Sequence, residues 1–254
     1  MNLMNKKFSI CVDMMFSKTE FKNRLKMAKN FNFGAVEFWK WSNKNINEIV
    51  NCGLPVSIFN VDSNNESLSY DLSRGIINDG RVDDFVSAVN ESIEVYKKLN
   101  AKAMIVLIGE NKPYNEENCL KCLLAVKPIL ESENVNLIIE PLNATDRVGY
   151  SMPYATPIFN LIKKVNSKNV KMLYDIYHQH VTGDFCLEEV LNNLQYIGHF
   201  HIADAPGRHQ VGTGAIDYVN ILKTIKNAGY NGYFGLEYRS TIPDEETFDF
   251  IKEI

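Results

Sequence analysis

Eight short apolar runs, each followed by a longer amphipathic one, succeed one another along the 254-residue chain. The runs are FSICVDMMF (8–16), AVEFW (35–39), PVSIFNV (55–61), AMIVLIG (103–109), NLIIEPLN (136–143), VKMLYDIYH (170–178), IGHFHIAD (197–204) and YFGLEY (233–238). Apolar residues recur at helical spacing over 18–31, 45–52, 82–99, 116–133, 154–166, 186–195 and 216–228, and a last such stretch, 244–253, closes the chain. The interior runs are almost continuously apolar, as strands covered on both faces must be. Gly34, Gly53 and Gly229 fall where helices would end before a strand. Strand-then-helix units in this number and length predict an α/β fold, a single (β/α)8 TIM barrel spanning 1–254. A doubly wound open sheet is the alternative, but no Gly-x-Gly-x-x-Gly follows the first run. No linker or break in composition divides the chain.

In such a barrel the C-terminal strand ends converge on one mouth, so polar residues there read as functional. The fifth run places Glu140 at that end, the sixth Asp175, the seventh His201 and the eighth Glu237. A buried carboxylate without a partner is costly, and a shared divalent cation satisfies all four residues at once. Three carboxylates and one imidazole suit Mg²⁺, Mn²⁺ or Co²⁺, with Zn²⁺ also compatible. No nucleotide cofactor is indicated. A metal beside two carboxylates, Glu140 and Glu237, can polarise a carbonyl while a proton moves between neighbouring carbons.

All five histidines lie between His178 and His209. His199 is two residues from His201 and would face the same way, one layer deeper, as a ligand or as an orienting partner. His178, beyond Asp175 at the start of a loop, is a candidate for a substrate hydroxyl; His180 and His209 read as loop residues. Glu37 ends the second strand and points either inward or to a salt bridge at the rim. Arg208, in the turn-rich segment after strand seven, and Arg239, just past Glu237, are candidates for holding a substrate carboxylate. The polar stretch 62–81 leaves the same barrel face and is expected to border or cover the site.

The formal net charge of −4 offers no basic footprint for nucleic acid and no attraction to an anionic membrane. With no signal-peptide pattern and no spanning apolar run, a soluble cytoplasmic protein acting on a small molecule is expected. Five scattered cysteines argue against a disulfide framework. Cys119 and Cys122 share one face of a predicted helix and read as small core residues rather than zinc ligands.

DMMF, AVEFW, IFNV, EPLN, YDIYHQH, HIADAPGRHQVGTGAIDY and GLEYR together resemble the hydroxypyruvate isomerase family of the xylose-isomerase-like barrels. The resemblance spans nearly the whole chain, and HIADAPGRHQVGTG is its most specific part. It implies Glu140 and Glu237 as the acid/base pair, and Glu140, Asp175, His201 and Glu237 as the metal site. It implies conversion of hydroxypyruvate to tartronate semialdehyde, with Arg208 or Arg239 on the carboxylate, and it is compatible with a homo-oligomer, a dimer or tetramer. His201 stands where that family often has glutamine, and Ala215 where it commonly has glutamate. Histidine there is more like the ketose 3-epimerases, which opens the substrate to longer sugars, 2-oxo-tetronates or inososes. A DNA-repair abasic-site endonuclease on this barrel would want more histidines on earlier strands and a basic surface. A non-catalytic binding protein would not need two opposed glutamates.

Overall fold

A computed structural model of the chain describes residues 6–254. Eight parallel strands, β1 (Phe8–Cys11), β2 (Ala35–Glu37), β3 (Ile58–Asn60), β4 (Ala103–Leu107), β5 (Leu137–Glu140), β6 (Val170–Asp175), β7 (Ile197–Ile202) and β8 (Phe234–Leu236), lie in the order β2-β1-β8-β7-β6-β5-β4-β3. A single bridge, Val36 to Val56, joins the two ends and brings the sheet to a barrel. The expected (β/α)8 TIM barrel is the observed fold. Its strands are shorter than the apolar runs that announced them, because each run continues past the sheet into the mouth.

Around the barrel stand α1 (Phe21–Asn30), α2 (Ile46–Cys52), α3 (Glu66–Leu72), α4 (Val82–Leu99), α5 (Glu116–Glu133), α6 (Ala155–Val165), α7 (Ile176–Thr182), α8 (Leu187–Asn192) and α9 (Tyr218–Asn227). Local chemistry sets their ends. Asn45, Asn65 and Asn115 accept backbone N–H groups of the first turns of α2, α3 and α5. Asn32, Asn100, Asn134 and Asn166 take left-handed conformations after α1, α4, α5 and α6. Glycine plays that part at Gly53 and Gly229 but not at Gly34. Gly34 is instead a point of close approach, where a Cβ would meet the Lys6 carbonyl oxygen at 2.0 Å.

Two expectations are corrected. The stretch 62–81 is not plain loop: it holds α3 and a 3-10 turn at Ile77–Asp79. Its only helical signal is the Leu68/Leu72 spacing, and Leu72 is buried. The closing helix over 244–253 is two 3-10 turns, Asp244–Glu246 and Asp249–Glu253. Asp244 accepts the Phe16 N–H at 2.5 Å, and Phe248 packs edge-on against Phe33 with ring centres 5.0 Å apart. Anchoring Phe248 under α1 overrides the regular helical path.

Candidate active site

The barrel brings Glu140, Asp175, His201 and Glu237 together, each within one residue of the C-terminal end of its strand, and all four are buried. One potential ligand atom from each lies within 4.8 Å of the others. His201 Nδ1 is the hub, 3.0 Å from Glu237 Oε2, 3.4 Å from Glu140 Oε1 and 3.9 Å from Asp175 Oδ2. Those approaches are off the line of a good hydrogen bond, so Glu140 Oε1 and His201 Nδ1 remain buried without a hydrogen-bond partner. The carboxylates nonetheless govern the protons. Burial disfavours charge on His201, but Glu237 and Glu37 outweigh it and hold its pKa well above the ordinary value. Burial raises the Asp175 carboxyl to about 7 against the pull of Arg208 and His201. Glu237 is held well below the carboxylate range by His201 and Arg208, which overcome its burial.

The donor chemistry fits a divalent cation. Three carboxylates converge on one imidazole nitrogen, all in a dry setting, with two of the inward-facing atoms unsatisfied. The other nitrogen of that imidazole faces a further, deeper carboxylate. His201 Nε2 lies 3.5 Å from Glu37 Oε1, while Glu37 Oε2 lies 3.0 Å from His199 Nε2 and accepts the Ser9 and Ser57 hydroxyls at 3.2 and 3.0 Å. Glu37 therefore points inward, and His199 is its partner one layer down. Burial opposes charge on Glu37, but the two imidazoles lower its pKa to about 2. β8 makes room for this layer with a glycine: a Cβ on Gly235 would meet Glu37 Oε1 at 2.3 Å.

Above the four residues opens a cavity of about 440 Å³, within the usual range for small ligands. His178, Arg208 and Arg239 all line it, as does Ser73 from the 62–81 stretch, which therefore borders the site as expected. His178 is not at the start of a loop. The chain turns straight from β6 into α7, with Asp175 as the N-cap accepting the His178 N–H, and His178 is buried on that helix. The Asn143 N–H donates to His178 Nδ1 at 3.2 Å, which assigns the ring proton to Nε2, facing Asp175 Oδ2 at 3.5 Å. Burial, then Arg208, hold its pKa well below the ordinary value, so His178 is a neutral donor rather than an ion-pair cation. His180 also lies on α7 rather than in a loop and stacks on Phe185; His209 is in the loop, its Nδ1 2.7 Å from the Arg239 carbonyl oxygen.

The two arginines differ. The Arg208 guanidinium is engaged, 2.5 Å from Glu237 Oε2 and 3.8 Å from Asp175 Oδ2, and it lies over the Tyr177 ring. Arg239 is exposed at the rim and, among the described residues, its side chain forms no ion pair. Two contacts to Glu237 had no sequence signal: the Trp39 indole N–H donates to Oε1 at 2.7 Å, and the Cys11 thiol approaches the same oxygen at 3.8 Å. AVEFW did mark Trp39 as a strand-end residue, but nothing in the alternation said that its indole would cross the mouth.

Among the described residues no helix is long and apolar enough to cross a membrane. Two curated relatives align over most of their length. Hydroxypyruvate isomerase of Escherichia coli (strain K12) is 30% identical over 244 residues, covering 92% of this chain and 93% of that protein. The 2-oxo-tetronate isomerase of Cupriavidus necator is 25% identical over 244 residues, 92% of each chain. Among solved structures, an AP endonuclease, family 2 from Brucella melitensis superposes with a TM-score of 0.88 at 22% identity, covering 97% of this chain and 98% of that one. The IOLI protein with a binding zinc atom superposes with a TM-score of 0.75 at 16% identity, over 97% and 95% of the two chains. At these identities the two structures speak to the fold alone. The xylose isomerase-like TIM barrel family model matches residues 25–254, from within α1 onward. With the strand order and the mouth already described, this makes the chain a member of the xylose isomerase-like TIM barrel family.

Proposed function

We propose that this protein is an isomerase of small sugar acids, converting a 2-oxo acid with an adjacent hydroxyl carbon into its aldehyde isomer, with hydroxypyruvate as first substrate. The observation that carries the reading is the convergence of Glu140, Asp175, His201 and Glu237 on one point beneath a cavity with Arg239 at its rim. Both curated relatives are named for 2-oxo acids, which supports a carboxylate-bearing substrate. In hydroxypyruvate, a carboxylate removes a proton from C3. The resulting enediolate takes a proton at C2, while the hydroxyl proton passes from O3 to O2, giving tartronate semialdehyde with no net gain or loss. A divalent ion held by Glu140, Asp175, His201 and Glu237 would supply Lewis-acid polarisation of the substrate carbonyl.

The chain's own groups divide the remaining work. Glu140 is the less encumbered carboxylate, with Oε1 buried and free of hydrogen bonds, and takes the first proton. Glu237, held ionised by His201 and Arg208 and clamped by Trp39, stands across the mouth beside the neighbouring carbon, and the proton that Glu140 takes from C3 is the one returned to C2. The neutral His178 presents an Nε2–H to a substrate hydroxyl. Arg239, without an acidic partner, takes the substrate carboxylate, whereas Arg208 is spent on Glu237. Ketose 3-epimerisation is the second reading, favoured by histidine at His201, and would not need Arg239.

The test is turnover of hydroxypyruvate and of a ketose panel by the purified protein, with divalent metal and with chelator. Glu140→Gln and Glu237→Gln should each lower kcat by at least about a hundredfold, the general acid–base contribution. Arg239→Gln should raise KM for hydroxypyruvate about tenfold, consistent with loss of a charged hydrogen bond, and leave uncharged ketoses unaffected. Turnover of ketoses alone moves the assignment to an epimerase; full activity in both glutamate variants removes the acid/base pair.

A further inference from the structure

The opposite mouth of the barrel, at the N-terminal ends of the strands, holds a second cavity of about 920 Å³. Lys6, Lys7, Lys102, Lys168 and Lys171 line it, and no aspartate or glutamate does. Its lining also includes His199, on the far side of the imidazole–carboxylate layer from the candidate active site. We propose that this lower cavity is a ligand site for a small anion carrying several phosphate charges.

The fold gathers these lysines from separate places. Lys6 and Lys7 precede β1, Lys102 precedes β4, Lys168 precedes β6 and Lys171 lies within it. Lysines at this end of a barrel have an ordinary alternative role, because the helix C-termini point here and attract cations. That role is filled by others. Lys127 Nζ donates to the carbonyls of Val165 and Asn166 at the end of α6, and Lys29 Nζ to that of Cys52 at the end of α2. Of the five in the cavity, only Lys7 reaches a protein acceptor, the Asn231 carbonyl at 3.2 Å. The other four make no side-chain hydrogen bond, and none of the five forms an ion pair, among the described residues.

Uncompensated like charges around one concavity repel one another and focus a positive potential into it. They do so in a chain whose net charge is −4, so the cluster is a local feature and not a reflection of composition. A compact ammonium group is a point-charge partner for phosphate oxygens, without the fixed planar fork that pairs with a single carboxylate. The volume lies at the upper end of small-ligand sites, large enough for a chain of two or three phosphates. No feature of the proposed isomerase reaction uses it.

Isothermal titration calorimetry of the full chain with sodium tripolyphosphate tests this, after chelator treatment so that the upper site holds no metal. The expected result is one saturable site per chain, weakened by added salt. Lys102→Gln/Lys171→Gln should weaken it by about tenfold or more, a difference well resolved in such titrations, while turnover at the upper site is unchanged. Arg239→Gln should leave the affinity as it was. Absence of saturable binding overturns the proposal, as does equal affinity in the double lysine variant. Loss of binding in Arg239→Gln alone puts the anion in the upper mouth, and length-dependent binding of duplex DNA in preference to tripolyphosphate makes the patch a nucleic-acid surface; either result overturns it too.

Discussion

Glu37 lies between two imidazoles and two serine hydroxyls at the floor of the candidate site, where its carboxylate faces the His201 ring from below. A carboxylate facing one ring nitrogen from below favours offering the other nitrogen upward, the kind of arrangement that orients histidine ligands in metal sites. Glu37→Gln keeps the shape but removes the negative charge that faces both imidazoles. It should lower stability by about 1–3 kcal/mol, the cost of leaving buried polar groups imperfectly paired, read from urea unfolding. It should also weaken divalent-metal affinity by about 10–100-fold, as loss of such an orienting partner does. A metal affinity unchanged beside a full loss of stability would reduce Glu37 to a packing role.

At the scale of single elements, α5 shows how a motif can mislead and a periodicity can inform. Cys119 and Cys122 form a C-x-x-C, yet both are buried on the core face of α5, the reading the helical spacing favoured. Burial, then each other's proximity, pushes the Cys119 thiol up to about 12, and burial pushes Cys122 up to about 11. The thiolate is the reactive form, so both should be inert at neutral pH. Titration with a disulfide reagent at pH near 8 should therefore find Cys186 first, since it is exposed, and reach Cys119 and Cys122 only on unfolding. Rapid reaction of the pair in the folded protein would mean that α5 opens readily.

Glu140, Asp175, His201 and Glu237 were legible because each interrupts an apolar run at a strand end, and parallel strands bring such ends together. The helix α7 was not, since YDIYHQH carries β-rich residues and its helical start depends on Asp175 capping the His178 N–H. The last segment was not, because Phe248 finds its apolar cluster only in the folded chain. Glu37 was visible as a candidate but not resolvable, because its meaning depends on β7 lying across the barrel. Trp39 and Cys11 carried no signal, since their contact is with an oxygen 198 and 226 residues away.

Over the whole barrel, the strands are not joined equally. β4 pairs with β5 over four positions and β6 with β7 over four, whereas β2 meets the approach to β3 at one bridge. That seam is held by the Val36 N–H to the Pro55 carbonyl, the Ser57 N–H to the Val36 carbonyl and the Asn60 N–H to the Trp39 carbonyl, each 2.9 Å. The Phe38 and Phe59 rings stack outside it at 5.7 Å, and inside it the Ser57 hydroxyl reaches Glu37. Regions with few backbone hydrogen bonds open at lower free energy than the rest of a fold. Hydrogen exchange followed by mass spectrometry should therefore show peptides over 35–39 and 55–60 losing protection before those over β5, β6 and β7. Because Glu37 ties the seam to the histidine layer, Glu37→Gln should accelerate exchange there more than at the β5–β6 junction. Uniform protection around the barrel, or equal acceleration at both junctions, would mean that the seam is as strong as the rest and that the packing of Phe38 on Phe59 outweighs the missing ladder.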